Sequence, residues 1–229
     1  MYFESLLLNV LVILLFIIIS FVVYLILNKH AILLSKYSSK CNMNSIELVN
    51  KFNKDNNMDV KMYPSNASSD LDIYMKKEKS IFINARNYYS DSIYSLSRVM
   101  YLCCYSLVDK NKFFSFFEKS NILLNILEVL GIGACFVGLL LKNNIFIIVG
   151  LCLIFLSFIL VIVNYKFNKS IYDKAYIYFS KLINKEKDVY KVIYRFELIK
   201  YVLSPFICVV KLFPFLMCEH DKKMVVEDK

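Results

Sequence analysis

Long uncharged apolar runs alternate with basic, polar blocks along this chain. Residues 6–27 carry no charge over 22 positions and are broken only by Asn9, Ser20 and Tyr24. At about 1.5 Å per residue such a run covers the roughly 30 Å hydrocarbon core of a bilayer. The preceding Met1-Tyr2-Phe3-Glu4-Ser5 lacks a basic n-region and no small-x-small cleavage site follows, so the run is expected to be a retained anchor. Residues 122–141 and 145–163 form two further apolar runs separated by Lys142-Asn143-Asn144, a connection that joins only antiparallel neighbours and predicts a transmembrane hairpin. A last apolar run, residues 201–218, contains Pro205, Lys211 and Pro214. It is compatible with a span or with a broken helix at the interface.

The block between anchor and hairpin carries a different pattern. Asn44 and Glu47 have capping-box spacing, and Leu48, Val49 and Phe52 then share one face, which predicts a short amphipathic helix ending near Asn56-Asn57. Residues 59–63 and 79–84 alternate apolar with polar, as half-buried strands of a hairpin do, and residues 65–72 read as the polar loop between them. Ser90-Asp91 can cap a helix running to about Val108, in which Ile93, Leu96, Val99-Met100 and Cys103-Cys104 recur at helical spacing. Phe113, Phe114, Phe116 and Phe117 lead to the membrane surface. The expected fold is a membrane α+β protein. It comprises an N-terminal transmembrane anchor (1–28), a small α+β unit (29–120), a transmembrane helical hairpin (121–164), and a C-terminal segment (165–229) of amphipathic or membrane helices and a polar tail.

Composition narrows the class. Of 229 residues 58% are hydrophobic, above the roughly 45–50% of soluble globular chains, which excludes a disordered protein, a collagen-like repeat and an ordinary soluble enzyme. The only glycines, Gly131, Gly133, Gly138 and Gly150, lie in the two hairpin runs, so no phosphate-cradling loop exists. Residues 29–119 hold 14 Lys+Arg against 9 Asp+Glu, and residues 166–229 hold 13 against 8. The hairpin loop offers only Lys142 and the N-terminal tail offers no basic side chain. The positive-inside rule then puts both basic blocks in the cytoplasm, with the N-terminus and hairpin tip outside. The net charge of +9 suits an anionic inner leaflet rather than a nucleic acid. Seven cysteines, an odd number with two inside spans, imply no disulfide framework. The triplets Asn66-Ala67-Ser68 and Asn168-Lys169-Ser170 match a glycosylation acceptor but would face the cytoplasm.

Several short strings share an order with one family: Lys36-Tyr37-Ser38 after the anchor, residues 72–74, Tyr88-Tyr89, Ser92-Ile93, and Phe167-Asn168 with Ser170. In these strings and in its layout the chain resembles the neutral zinc metallopeptidases, small bacterial membrane proteins of about this length. The resemblance implies a bacterial cytoplasmic membrane location and a zincin-like α+β unit. It also implies an H-E-x-x-H pentad on the helix after Tyr-Tyr, in which two histidines bind zinc and the glutamate polarises the attacking water. Counted from Ser92-Ile93, that pentad falls on Tyr101-Leu102-Cys103-Cys104-Tyr105. The zinc positions are Tyr101 and Tyr105, the base position is Leu102, and the later acidic ligand corresponds to Lys166, where the charge has changed sign. The chain therefore reads as a degenerate member, with no catalytic or metal residue and no cofactor expected; zinc would be expected only of an intact site.

Replacement ligands are scarce. His30 and His220 are too far apart in sequence for a helical pair, and phenols with a pKa near 10 are poor zinc ligands. Cys103 and Cys104, about 100° apart on a helix, diverge and read as packed thiols. Cys218-Glu219-His220-Asp221 reads as a solvated tail. In the second span Asn121, Asn125 and Glu128 fall at i, i+4 and i+7, which offers a proton or ion path, or structural pairing of Glu128 with Lys211 or with Lys200 and Arg195.

The function expected from these features is a catalytically inactive scaffold or peptide-binding protein, with residues 79–84 as the strand that aligns extended peptide. Its partners would be the lipid bilayer and peptide segments of other membrane proteins, not nucleic acid, and self-association is left open. The alternatives are an ion- or proton-coupled transporter component centred on Glu128, and a zinc metallopeptidase with a rebuilt site.

Overall fold

A computed structural model describes residues 2–39, 43–65, 72–108, 112–183 and 186–211. The elements are α1 (Tyr2–Ser35), α2 (Ser45–Asn56), β1 (Lys61–Ser65), β2 (Ile73–Met75), β3 (Ser80–Asn84) and α3 (Ala85–Tyr88). They continue with α4 (Ile93–Val108), α5 (Lys112–Leu140), α6 (Asn144–Leu182), α7 (Lys187–Val202) and α8 (Ser204–Lys211). The chain divides into two compact units. One is residues 1–28, 119–163 and 201–229; the other is residues 29–118 and 164–200. The division falls between Lys200 and Tyr201, inside the C-terminal segment that the sequence pattern groups as one.

Three helices, α1, α5 and α6, which run through the segments 1–28 and 119–163 of the first unit, are each long and apolar enough to cross a membrane. By length and composition these are three candidate spans, which is consistent with a membrane protein. On α1 Asn9, Ile13, Phe16, Ser20, Val23 and Leu27 recede from solvent in a 3-4 repeat, flanked by the half-buried Val10 and Tyr24, while the other side chains between them are exposed. On α5 and α6 the buried seams are Leu124, Glu128, Gly131 and Cys135 against Ile147, Gly150, Ile154 and Ser157. Gly131 and Gly150 set their separation: a Cβ on Gly150 would lie 2.6 Å from the Gly131 carbonyl oxygen and 2.5 Å from Cys135 Sγ. Small residues let helix backbones approach in lipid, where no hydrophobic effect drives association. Gly133, by contrast, has open space around it. Asn9 Nδ2 donates to Asn144 Oδ1 at 3.4 Å, tying the start of α1 to the hairpin tip. The last apolar run breaks where α7 ends at Val202 and an eight-residue α8 begins at Ser204, just before Pro205. At about 1.5 Å per residue α8 alone is too short to span, and residues 212–229 lie outside the described residues.

The second unit is α+β. The Asn44–Glu47 capping box is formed, with Glu47 N donating to Asn44 Oδ1 and Asn44 N to Glu47 Oε2, each at 3.0 Å. Asn57, in the left-handed region at φ 51°, closes α2. The buried helix α4 is capped by Ser92, whose Oγ accepts from Ser95 N at 3.1 Å, one residue after the expected Ser90-Asp91. The strands differ from expectation. The order is β1-β3-β2, with β1 parallel and β2 antiparallel to β3. The hairpin therefore joins β2 to β3 through a turn closed by Lys79 (φ 48°), and β1 takes the other side of β3. Residues 80–84 form the middle strand, not a peptide-aligning edge, because β1 and β2 occupy both of its sides. Pro64, which has no N–H to give to a ladder, fits the edge position of β1. Residues 66–71 of the expected polar loop lie outside the described residues. One face of the sheet lies on the core built with α2 and α4, where Leu48, Phe52, Ile81, Ile83, Leu96 and Met100 are fully buried.

Candidate functional site

Two of the strings noted in the sequence meet at the start of α4. Ile93 N donates to the Tyr37 carbonyl at 3.0 Å, and Ser38 bridges to Ser92. Along α4, Tyr94, Arg98, Tyr101 and Tyr105 follow at i, i+4, i+7 and i+11, a continuous stripe on one face. Each meets a partner from another element. Arg98 pairs with Asp72 at 2.8 Å, just before β2. Asp72 Oδ1 also accepts from Asn84 N at 2.9 Å, so this one carboxylate links β2, β3 and α4. Tyr101 stacks on Tyr172 of α6, with ring centroids 4.2 Å apart, and donates its hydroxyl to Asn168 Oδ1 at 2.5 Å. Tyr105 meets Tyr101 at 6.0 Å and Tyr74 of β2 at 6.1 Å. Lys200 of α7 donates to the Tyr94 hydroxyl at 3.4 Å, and Tyr172 donates to Glu197 Oε2 at 3.2 Å.

Two cations, Arg98 and Lys200, thus stand in one network with two carboxylates, Asp72 and Glu197, and buried ions persist where such pairing offsets desolvation. Burial opposes the Arg98 charge, but the Asp72 carboxylate beside it, with Tyr94 and Glu197, outweighs that and holds the guanidinium above its ordinary range. Burial, reinforced by Glu197, pushes the Tyr94 phenol up, so it remains a neutral donor. Away from this stripe on α4, burial pushes the Cys104 thiol up to about 12 and moves Cys103 in the same direction. Neither is a ready thiolate, the form that attacks electrophiles and binds metals.

The positions derived from the resemblance fare differently. Tyr101 and Tyr105 do share a face, whereas Leu102 turns into the core with 6% exposure. Lys166 is exposed; the residues of α6 that reach Tyr101 are Asn168, which is 2% exposed and accepts its hydroxyl, and Tyr172, which stacks on its ring. The expected polar stripe in the second span is not one surface: Asn125 is exposed, and Glu128 (2% exposed) stands instead in the apolar seam with Leu124 and Gly131. Among the expected partners of Glu128, Arg195 is exposed and Lys200 donates to Tyr94. The side chain of Lys211, and Cys41, Asn66, Cys218 and His220, lie outside the described residues, while His30 is exposed beside Phe196. Among the described residues no three His, Cys, Asp or Glu side chains converge as a metal-holding group. Sequence reading missed Asp72, Arg98, Asn168, Tyr172 and Glu197 as one network. The i, i+4, i+7, i+11 spacing of Tyr94, Arg98, Tyr101 and Tyr105 was the available signal.

Compared with known proteins, the chain matches no family model, no curated sequence and no solved structure.

Proposed function

We propose that this protein is a non-catalytic membrane scaffold built on a zinc-peptidase-like plan, with its second unit in the cytoplasm binding extended peptide segments. The observation that carries the reading is how the stripe of α4 is filled. At the two positions where the resemblance expects zinc-binding imidazoles, Tyr101 and Tyr105 pack against Tyr172 and Tyr74, and the Tyr101 hydroxyl is engaged by Asn168. Packed phenols offer neither a metal ligand at neutral pH nor a general base. The catalytic glutamate position is an apolar core residue, Leu102.

Peptide binding moves from β3 to β2. The middle strand has no edge left, whereas among the described residues β2 is an edge strand whose Tyr74 touches Tyr105. An extended segment added beside β2 would run past the tyrosine face of α4, pairing through its backbone. Placement of this unit in the cytoplasm follows the distribution of lysine and arginine, and the Asn9–Asn144 contact agrees with an N-terminus and hairpin tip on one common side.

Two measurements on detergent-purified full chain test this. Casein and unstructured peptides should remain uncut with or without added zinc; chelator-sensitive cleavage would contradict the reading. With a bound extended peptide, amide exchange should slow in residues 72–76 above all, and binding that leaves those amides unchanged would remove β2 as the site.

A further inference from the structure

We propose that the outer face of the three-stranded sheet is a docking surface for the anionic headgroups of the bilayer that the chain itself spans. The register places Tyr63, Phe82 and Ile73 in one row across all three strands, with Tyr63 stacked on Phe82 at 5.6 Å. Strand alternation puts Met75 on the same face and sends Ile81 and Ile83 to the core. A sheet covered on one side ordinarily turns polar residues to the other. Here Tyr63 is 44% exposed, Ile73 41% and Met75 45%.

The surroundings of this apolar row select its occupant. Lys61 shares the face, and Lys76, Lys77 and Lys79 crowd the turn between β2 and β3, all of them exposed. Among the described residues the neighbouring acids are Asp59, Asp72, which is paired with Arg98, and Glu78, which accepts from Ser80 Oγ at 3.3 Å. A second copy of this face would bring lysine against lysine. An anionic lipid surface instead complements both parts: lysines reach the phosphates along their apolar stems while aromatic and aliphatic side chains enter the headgroup boundary. The segment of the unit that carries the sheet is joined at both ends to apolar helices, at residues 28–29 and 118–119, so the bilayer is always at high effective concentration and weak docking suffices. The inference needs the membrane reading but not the peptidase resemblance, and vesicles anionic in both leaflets make its test independent of which side the unit occupies.

The chain contains no tryptophan, so Tyr63→Trp in the full protein provides a single indole on this face. It is reconstituted into brominated phosphatidylcholine vesicles, alone or with roughly a quarter phosphatidylglycerol. With phosphatidylglycerol we expect blue-shifted emission quenched by the brominated chains. In phosphatidylcholine alone, or at about 1 M salt where screening acts within about 3 Å, the shift and most of the quenching should disappear. Changing Lys61, Lys76, Lys77 and Lys79 to Gln should have the same effect as removing the anionic lipid. A separate Leu15→Trp variant, on the exposed face of α1, reports insertion and should be quenched in every lipid. With that control quenched, three results for Tyr63→Trp would overturn the proposal: red, unquenched emission in the anionic vesicles, equal quenching in both lipids, or a blue shift without quenching.

Discussion

Tyr101 donates its hydroxyl to Asn168 at 2.5 Å, while Lys166, two residues earlier on the same helix, faces outward. Beside Tyr172, the residue of α6 that meets the α4 stripe with a polar side-chain acceptor is therefore Asn168, and this can be used to rebuild a site. Zinc needs three or four protein ligands in a tetrahedral arrangement. The variant Tyr101→His/Tyr105→His should retain little zinc after dialysis. Adding Asn168→Asp should raise retention toward one ion per chain by elemental mass spectrometry, whereas adding Lys166→Glu should not. The reverse order would mean that α6 is rotated relative to this description.

The Arg98–Asp72 pair joins α4 to the sheet, and Asp72 also receives Asn84 N. Removing one member of a buried pair leaves the other charge uncompensated, so Asp72→Ala should cost about 3 kcal/mol. Asp72→Asn retains an acceptor for Asn84 and should cost less. Thermal unfolding in detergent measures both, and faster amide exchange should concentrate in β3 and α4. A neutral Asp72→Ala would dismiss the pair as a tie.

Which parts of this were legible beforehand follows from the range of the interactions. The spans were readable because bilayer thickness fixes run length, and the Asn44–Glu47 box because capping is local. Strand pairing was misread because the pattern of residues 59–63 and 79–84 reports which faces are buried, not which strand lies beside which. The short β2 (Ile73–Met75) carries too little alternation to announce itself, yet it displaces the expected hairpin. The stripe on α4 had a visible period, but Asp72, Asn168 and Glu197 reach it from positions 26 to 103 residues away from their partners at 98, 101 and 94, which no local pattern reveals.

Alkaline pH should loosen the second unit. Burial pushes Cys104 up to about 12 and raises Cys103, and burial with Glu197 raises Tyr94. Each group holds its proton more tightly when folded, so its contribution is complete below the unfolded pKa and is lost as pH rises from there toward the folded value. For Cys104 that window runs from about 9 to about 12. Stability should be flat near neutrality and then fall by about 1.4 kcal/mol per pH unit for each group within its window. Unfolding compared at neutral pH and at about pH 10.5 checks this, and Cys103→Ala/Cys104→Ala should flatten the slope. An unchanged slope in that variant would remove the thiols from the account.

Two glycines of the membrane hairpin should behave oppositely. A Cβ at Gly150 meets the Gly131 oxygen at 2.6 Å and Cys135 N at 2.7 Å, backbone atoms that cannot swing aside. Gly150→Ala should cost about 1–3 kcal/mol by overpacking. At Gly133 nothing lies within 4 Å, and Gly133→Ala should be neutral or gain up to about 1 kcal/mol of helix propensity. Thermal unfolding of the two variants in detergent decides, and equal effects would contradict the close α5–α6 crossing.

The most direct test of the non-catalytic reading is the zinc content of the detergent-purified full chain, measured by elemental mass spectrometry after dialysis with and without added zinc. The tyrosine-filled stripe predicts only trace metal in both samples. Stoichiometric zinc that survives dialysis, and that is lost on changing Tyr101 and Tyr105 to Phe, would contradict it.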